Sequence, residues 1–297
     1  MTRRWARPGF IPAGLALCVA LALAGCGGLE DPGALPSESS TPTPTRTATS
    51  TPAPTTEPDH LVGECQGTGS PTVVLNAGLG TTPDAFASLL YALPSTVRVC
   101  GYARAGLGDS PALPADADDP SAGSQADELI VSLVKDGIEP PYVLVGWSYG
   151  GIVTQAFAHR HPDTVAGVVF EDSSVVEQFA DPDWDFIEWT EGGRTIDTDA
   201  STRDIAGLTL DSLPVVVLTQ DQLTPDLARP WLRSHERLAA LSTNSIHLIA
   251  VGSGHEIHED ATELMAAAIE EVVMAVRSGS PLAACDDRFT AVGGRCR

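Results

Sequence analysis

Positive charge is scarce in this chain. Among its 297 residues, 17 are Lys or Arg and 39 are Asp or Glu, a formal net charge of −22. Three of the cations, Arg3, Arg4 and Arg7, stand in the first 25 residues, where there is no acid. Without that stretch three positive charges go and −25 is left. A body this acidic repels phosphate backbones, which argues against nucleic acid as a partner. The plain use of such charge is solubility. Also missing is any Cys-x-x-Cys pair or cluster of histidines, so the cysteines do not read as a zinc site. There is no internal repeat. The length suits one sizeable core and falls short of two comfortable domains.

No apolar run is long enough to span a membrane comfortably. The longest, Ile11 to Ala24, follows the basic n-region and ends in Leu23-Ala24-Gly25-Cys26. That is a secretory signal over residues 1–25. Its last four residues resemble the lipobox of bacterial lipoproteins, in which the cysteine is acylated and becomes the first residue after cleavage. The resemblance implies lipidation at Cys26 and attachment to the outer side of a bacterial cell membrane; plain cleavage and secretion is the alternative. Two acyl chains anchor stably where one is marginal, at about 0.8 kcal/mol per buried CH₂.

Residues 26–58 lack aromatic residues altogether and are rich in Thr, Pro and Ser. Such a stretch buries too little apolar surface to fold and reads as an extended tether. The remaining cysteines, Cys65, Cys100, Cys285 and Cys296, allow three pairings. Cys285 and Cys296 bracket a short loop, 285–296, with a tight turn available at Gly293-Gly294. Cys65 and Cys100 each stand in a strand-like segment. These two pairs are expected in an oxidising compartment, with buried free thiols as the alternative.

From residue 59 to the end, apolar runs alternate with amphipathic ones. Strands are expected at Thr72 to Leu75, Val97 to Tyr102, Tyr142 to Val145, Val165 to Phe170, Val215 to Leu218 and Ile246 to Val251. Helices are expected at Asp84 to Leu93, Ser124 to Lys135, Ile152 to His159 and Glu263 to Val276. Continuous apolar runs mark strands covered on both faces, and the alternation implies a mostly parallel, doubly wound α/β sheet with ligands at the strands' carboxyl ends. Residues 173–212 break the rhythm. They hold Phe179, Trp184, Phe186, Ile187 and Trp189 among acids, with Gly192-Gly193, and read as a cap over the site or as a surface excursion whose aromatics pack down.

The chemistry centres on Gly146-Trp147-Ser148-Tyr149-Gly150-Gly151, between a strand and a helix. A serine at the tip of so sharp a turn sits in strained backbone, and side chains two positions away on either side would clash, which glycine avoids. The following helix N-terminus favours developing negative charge. The candidate base is His255, delivered by the loop Gly252-Ser253-Gly254 after the last strand. His258 is its competitor, while His159, His161, His235 and His247 read as structural residues.

With the serine before the histidine, residues 60–277 resemble the α/β-hydrolase superfamily. They come closest to a bacterial branch that shares the run Gly67 to Leu75 and Arg98-Val99-Cys100. The resemblance implies a Ser-His-acid triad, no metal and no organic cofactor. It places the oxyanion donors at the backbone N–H groups of Leu79, in the loop Asn76-Ala77-Gly78-Leu79-Gly80, and of Tyr149. One departure stands at Ala103-Arg104-Ala105-Gly106-Leu107-Gly108-Asp109-Ser110, where many relatives have Asp at the first position. For the acid, most of the superfamily uses the end of the later strand, here Asp221, with Asp226 beyond. Haloalkane dehalogenases place it after the earlier strand, which here gives Asp172. Asp172 is the first choice, Asp221 the alternative.

The expected activity is cleavage of a small-molecule carboxylic ester, or a related acyl bond, through an acyl-enzyme. A serine peptidase and a non-catalytic binding lipoprotein that retains the fold are the rivals.

Overall fold

The computed structural model describes residues 59–297. The signal segment 1–25, the lipidation site Cys26 and the tether 26–58 lie outside the described residues. In chain order the elements are β1 (Gly63–Gln66), β2 (Thr72–Asn76), α1 (Ala87–Ala92), β3 (Arg98–Tyr102), α2 (Ala122–Lys135), β4 (Tyr142–Trp147), α3 (Tyr149–Arg160) and β5 (Val165–Glu171). Then come β6 (Thr190–Glu191), β7 (Arg194–Thr195), α4 (Thr198–Asp204), β8 (Val215–Gln220), α5 (Pro225–Ala239), β9 (Ser245–Ala250), α6 (Ile257–Asp260), α7 (Thr262–Ser278), α8 (Asp287–Thr290) and β10 (Gly294–Cys296).

Eight strands form one sheet in the order β1-β3-β2-β4-β5-β8-β9-β10. The six inner strands are parallel; β1 and β10 run antiparallel at the two edges. The apolar runs belong to strands covered on both faces: every residue of β2 and β4 is buried. Val74, Leu144, Val168 and Val217 join one core with Ala126, Leu133, Ile152 and Phe157 of α2 and α3. Val73, Val143, Val169 and Val216 join the other with Leu89 of α1 and Ile269 and Val272 of α7. After β2 the chain adds β3 on one side and β4 on the other. The loops leaving β2 and β4 therefore diverge at a switch point, the place where such sheets hold ligands.

Several elements differ from expectation for identifiable reasons. Helix α2 starts two residues early because Ser121 caps it, its hydroxyl accepting from Ser124 N while Ser124 Oγ accepts from Ser121 N. The expected helix from Asp84 to Leu93 splits into a 3₁₀ turn, Pro83–Phe86, and the short α1. Helix α5, whose start the sequence suggests at Asp226, holds Pro230 inside it, which hides its extent; Pro225 at its start costs nothing, since the first helical N–H has no partner anyway. Both expected disulfides are present. Cys65–Cys100 joins direct partners on β1 and β3, and Cys285–Cys296 ties β10 to the segment before α8. Among the described residues no helix is long and apolar enough to cross a membrane.

Candidate active site

Ser148 sits between β4 and α3 at φ 53°, ψ −128°, a conformation a non-glycine residue adopts only when its surroundings impose it. The surroundings are visible in the glycines. A Cβ on Gly150 would lie 2.1 Å from Asn76 O, one on Gly146 would lie 2.6 Å from Gly151 Cα, and one on Gly151 would lie 1.8 Å from Ser173 Oγ. The backbone is pinned to the next strand: Ser148 N donates to Glu171 O at 3.3 Å, and Ser174 N donates to Ser148 O at 2.9 Å. The turn leaves Ser148 half-buried at the carboxyl end of the sheet, beside the first turn of α3.

His255 lies in the loop between β9 and α6, with 41% of its side chain exposed. Trp147, the residue before the serine, holds that loop: its indole N–H donates to His255 O at 2.9 Å, and its ring lies 5.6 Å from the imidazole. The His255 Nδ1–H donates to Asp172 Oδ2 at 2.6 Å. Nε2 is thereby left as the basic nitrogen. Burial opposes charge on the ring, but the Asp172 carboxylate, with Glu171 and Glu256, outweighs it and raises the imidazole above its ordinary 6.5.

Asp172 follows β5, fully buried and at φ 37°. Besides His255 it accepts from Gln220 N at 3.0 Å, Gln220 Nε2 at 2.7 Å and Trp231 Nε1 at 2.7 Å. Burial pushes the carboxyl up, yet the bond to His255, the charge that ring carries when protonated and the Gln220 N–H hold it below its usual 3.8. The structure thus brings Asp172 to the histidine ring and leaves the alternative acid elsewhere. Asp221 is exposed and accepts from Gly252 N at 2.9 Å, bracing the backbone of the histidine loop without reaching the imidazole. Its place directly off β8 aims it at that loop. Asp226 lies exposed in the first turn of α5.

His258 pairs with Glu171 instead. Its Nδ1 and its backbone N both meet Glu171 Oε1, at 2.7 and 2.6 Å, in a sealed site where Phe86 and Trp147 flank the ring. His235 and His247 form a chain behind Asp172. His235 Nε2 donates to Ser173 O at 3.0 Å, so its Nδ1 accepts from Thr219 Oγ1 at 2.6 Å, and Thr219 Oγ1 accepts from His247 Nε2 at 2.8 Å. Both rings are held neutral by burial, His247 down to about 4.

The Leu79 N–H meets no acceptor among the described residues. Tyr149 opens α3, where a backbone N–H has no partner within the helix. A buried cluster that the sequence reading missed surrounds both. Arg104 donates to Ala77 O and Gly78 O at 2.7 Å each. It also pairs with Glu191, through Nε to Oε1 at 2.7 Å and Nη2 to Oε2 at 2.5 Å. Glu191 Oε2 accepts from Gly80 N at 2.8 Å. Gln125 Nε2 donates to Glu191 Oε1 at 3.1 Å, and Gln125 Oε1 accepts from the Tyr149 hydroxyl at 2.8 Å.

Of the aromatics in 173–212, Trp189 packs near Tyr149 and Phe179, Trp184 stacks on Trp231 at 5.0 Å, and Phe186 is 68% exposed. Among the described residues no group of His, Cys, Asp and Glu has the arrangement of a metal site.

Sheet order, elbow and strand-end acid together settle the architecture. The chain has the α/β-hydrolase fold. Residues 71–206 match the family model described as alpha/beta hydrolase fold. An uncharacterized protein of Bacillus subtilis, YqjL, is 25% identical over 232 residues, 73% of this chain and 89% of its own length. A pimeloyl-(acyl-carrier protein) methyl ester esterase of Aromatoleum aromaticum is 35% identical over 99 residues, 33% of this chain and 36% of its own. Among solved structures, an esterase from Thermogutta terrifontis superposes with a TM-score of 0.57 at 22% identity, covering 73% of this chain and 93% of that one.

Proposed function

We propose that this protein is a serine hydrolase that cleaves a small-molecule carboxylic ester. The observation that carries the reading is the 2.6 Å bond from His255 Nδ1 to a buried, four-donor carboxylate at Asp172, one residue past the strand that pins the Ser148 elbow. In this reading Ser148 Oγ attacks the ester carbon and its proton passes to His255 Nε2. The tetrahedral oxyanion is held by the N–H groups of Leu79 and Tyr149. Collapse breaks the carbon–oxygen bond to the leaving alcohol, which takes the proton from His255. Water, deprotonated by the same nitrogen, then attacks the acyl-enzyme and releases the acid and Ser148. Asp172 keeps the proton on Nδ1 and stabilises the imidazolium in each half-reaction. No metal or organic cofactor takes part.

An ester is preferred because its leaving group departs most easily, and the partial likeness to a methyl ester esterase leans the same way. Ser148→Ala should reduce hydrolysis to at most the residual that binding and oxyanion contacts supply, about 10³–10⁴ over the uncatalysed rate. Wild-type turnover by that variant on ester, thioester and aminoacyl substrates would remove the serine from the mechanism. Labelling of wild type by a fluorophosphonate separates the enzyme from a binding protein of the same fold.

The enzyme is placed outside the cytoplasm, with residues 59–297 as the hydrolase domain and Cys26 as the lipid anchor of the tether. Cys26→Ala should release the protein from the membrane fraction or leave its signal unprocessed. A variant that fractionates and is acylated like wild type would refute the anchor.

A further inference from the structure

The loop after β2 is gripped at three points by one ion pair. Arg104 holds the carbonyls of Ala77 and Gly78, and Glu191 holds the N–H of Gly80. Thr81 adds its own N–H and hydroxyl to Gly78 O, at 3.2 and 2.8 Å. Leu79 sits between these points. A trans peptide is planar, with its C=O and N–H pointing in opposite directions. Fixing Gly78 O toward Arg104 therefore aims the Leu79 N–H the other way. Fixing Gly80 N toward Glu191 sets the next peptide plane as well.

Glu191 does not belong to the sheet. It comes from residues 173–212, on a hairpin whose two-residue loop, Gly192-Gly193, has φ 57° and 77°. Positive φ at both loop positions gives the turn twist that matches paired strands, which is why two glycines stand there. The tip lies so close to the loop after β3 that a Cβ on Gly192 would sit 2.4 Å from Ala105 O. Arg104 and Glu191 have side chains only 5% and 1% exposed. The pair also reaches the other donor residue: Arg104 lies 5.5 Å from the Tyr149 ring centroid, and Gln125 bridges the Tyr149 hydroxyl to Glu191.

We propose that Glu191 is a positioning residue for the oxyanion donors: with Arg104 it fixes the peptide planes on both sides of Leu79 and braces Tyr149, so that the hairpin over the site completes the oxyanion hole. The proposal rests on the serine-hydrolase reading. Removing one oxyanion donor outright costs about 10²–10³ in kcat, and a donor that is present but loosely aimed costs less.

The test uses full-chain protein, p-nitrophenyl acetate and phenylboronic acid, whose tetrahedral serine adduct places an oxygen where the oxyanion forms. Two variants are compared. Glu191→Gln keeps the shape and removes the charge. The double variant Arg104→Met with Glu191→Leu removes both charges, a replacement buried pairs commonly tolerate. Each should lower kcat about 10- to 100-fold with KM within about twofold, and should weaken boronate inhibition by the factor lost in kcat/KM. A merely structural role would lower the melting temperature without making those two losses track each other. The wild-type protein supplies a readout that needs no variant: the Gly80 amide should exchange slowly before inhibitor is added, and the Leu79 amide should slow once boronate binds.

A folded variant with kcat and boronate inhibition within about twofold of wild type would overturn the proposal, as would a Gly80 amide that exchanges at the rate of an open loop. Either result beside a wild type that reacts with a fluorophosphonate defeats this inference alone. A wild type that fails to react defeats the serine reading, and this inference with it.

Discussion

Asp172 is the residue on which the site turns. Four donors converge on its two oxygens in a position closed to solvent, so its charge is kept without water and its geometry is fixed by three other side chains and a backbone N–H. Asp172→Asn should reduce kcat by about 10⁴, as in a triad deprived of its acid, with the fold intact. Asp221→Asn should leave kcat near wild type, since Asp221 meets only backbone; the reverse pattern would reassign the acid. The pH profile carries the sign. In the proposed mechanism catalysis needs neutral His255, whose pKa is raised above 6.5, so the acid limb of kcat/KM should have its midpoint above pH 6.5 and move down in Asp172→Asn. Ser148 and His255 could be nominated as candidates because each stands in a local signature, a glycine-framed turn and a glycine-rich loop. Asp172 was reached through resemblance. Glu191 was not found: the contact that gives it meaning, to Gly80, spans 111 residues, and nothing in Thr190-Glu191-Gly192-Gly193 marks its glutamate as buried.

At the scale of elements, the strand–turn–helix of β4 and α3 is fixed by close approaches more than by helix propensity. Gly150→Ala should be severe, because the added carbon meets two backbone oxygens, Asn76 O at 2.1 Å and Ala77 O at 2.4 Å, that cannot swing aside. A loss of about 3 kcal/mol or more is expected in urea unfolding, the upper range for overpacking; an unchanged midpoint would mean that the loop after β2 can retreat. The inner parallel strands were legible because burial on both faces writes uninterrupted apolar runs. The edge strands were fainter: a strand-like segment was read around Cys65, and β10 was missed. The pattern of β1, Gly-Glu-Cys-Gln, is largely exposed, and β10 is only three residues long, so neither carries an apolar signature. The aromatics of 173–212 were read as a cap over the site or as an excursion that packs down, and both descriptions apply in part. Trp184 and Trp189 pack on Trp231 and Tyr149, which brace the site's own groups, and the hairpin's polar Glu191 bonds to the loop after β2.

Across the whole molecule, acid should act first through the two histidines behind the site. His235 and His247 stay neutral in the fold because burial depresses both below the 6.5 of the unfolded chain, His247 to about 4. Between those values the unfolded state binds more protons, so stability is present above pH 6.5 and is lost as pH falls toward 4. For His247 alone the loss is about 3 kcal/mol, at 1.36 kcal/mol per unit. In His247→Gln, whose amide still reaches Thr219, the drop in urea-unfolding stability from pH 7 to 4.5 should shrink by roughly 2–3 kcal/mol; an identical drop would place the acid sensitivity elsewhere. The borders of the sheet have a different vulnerability. Each outermost strand is held by a covalent bond, Cys65 to its partner Cys100 and Cys296 back to Cys285, while the middle of the sheet needs none. A reductant would therefore leave the centre intact and loosen the two flanks, uncovering the unpaired ladders of β3 and β9 as templates for a neighbouring molecule's strands. Under such treatment the first symptom would be turbidity at working concentration, well before any loss of helical signal, and the bonds would count as guards against self-association more than as sources of fold stability.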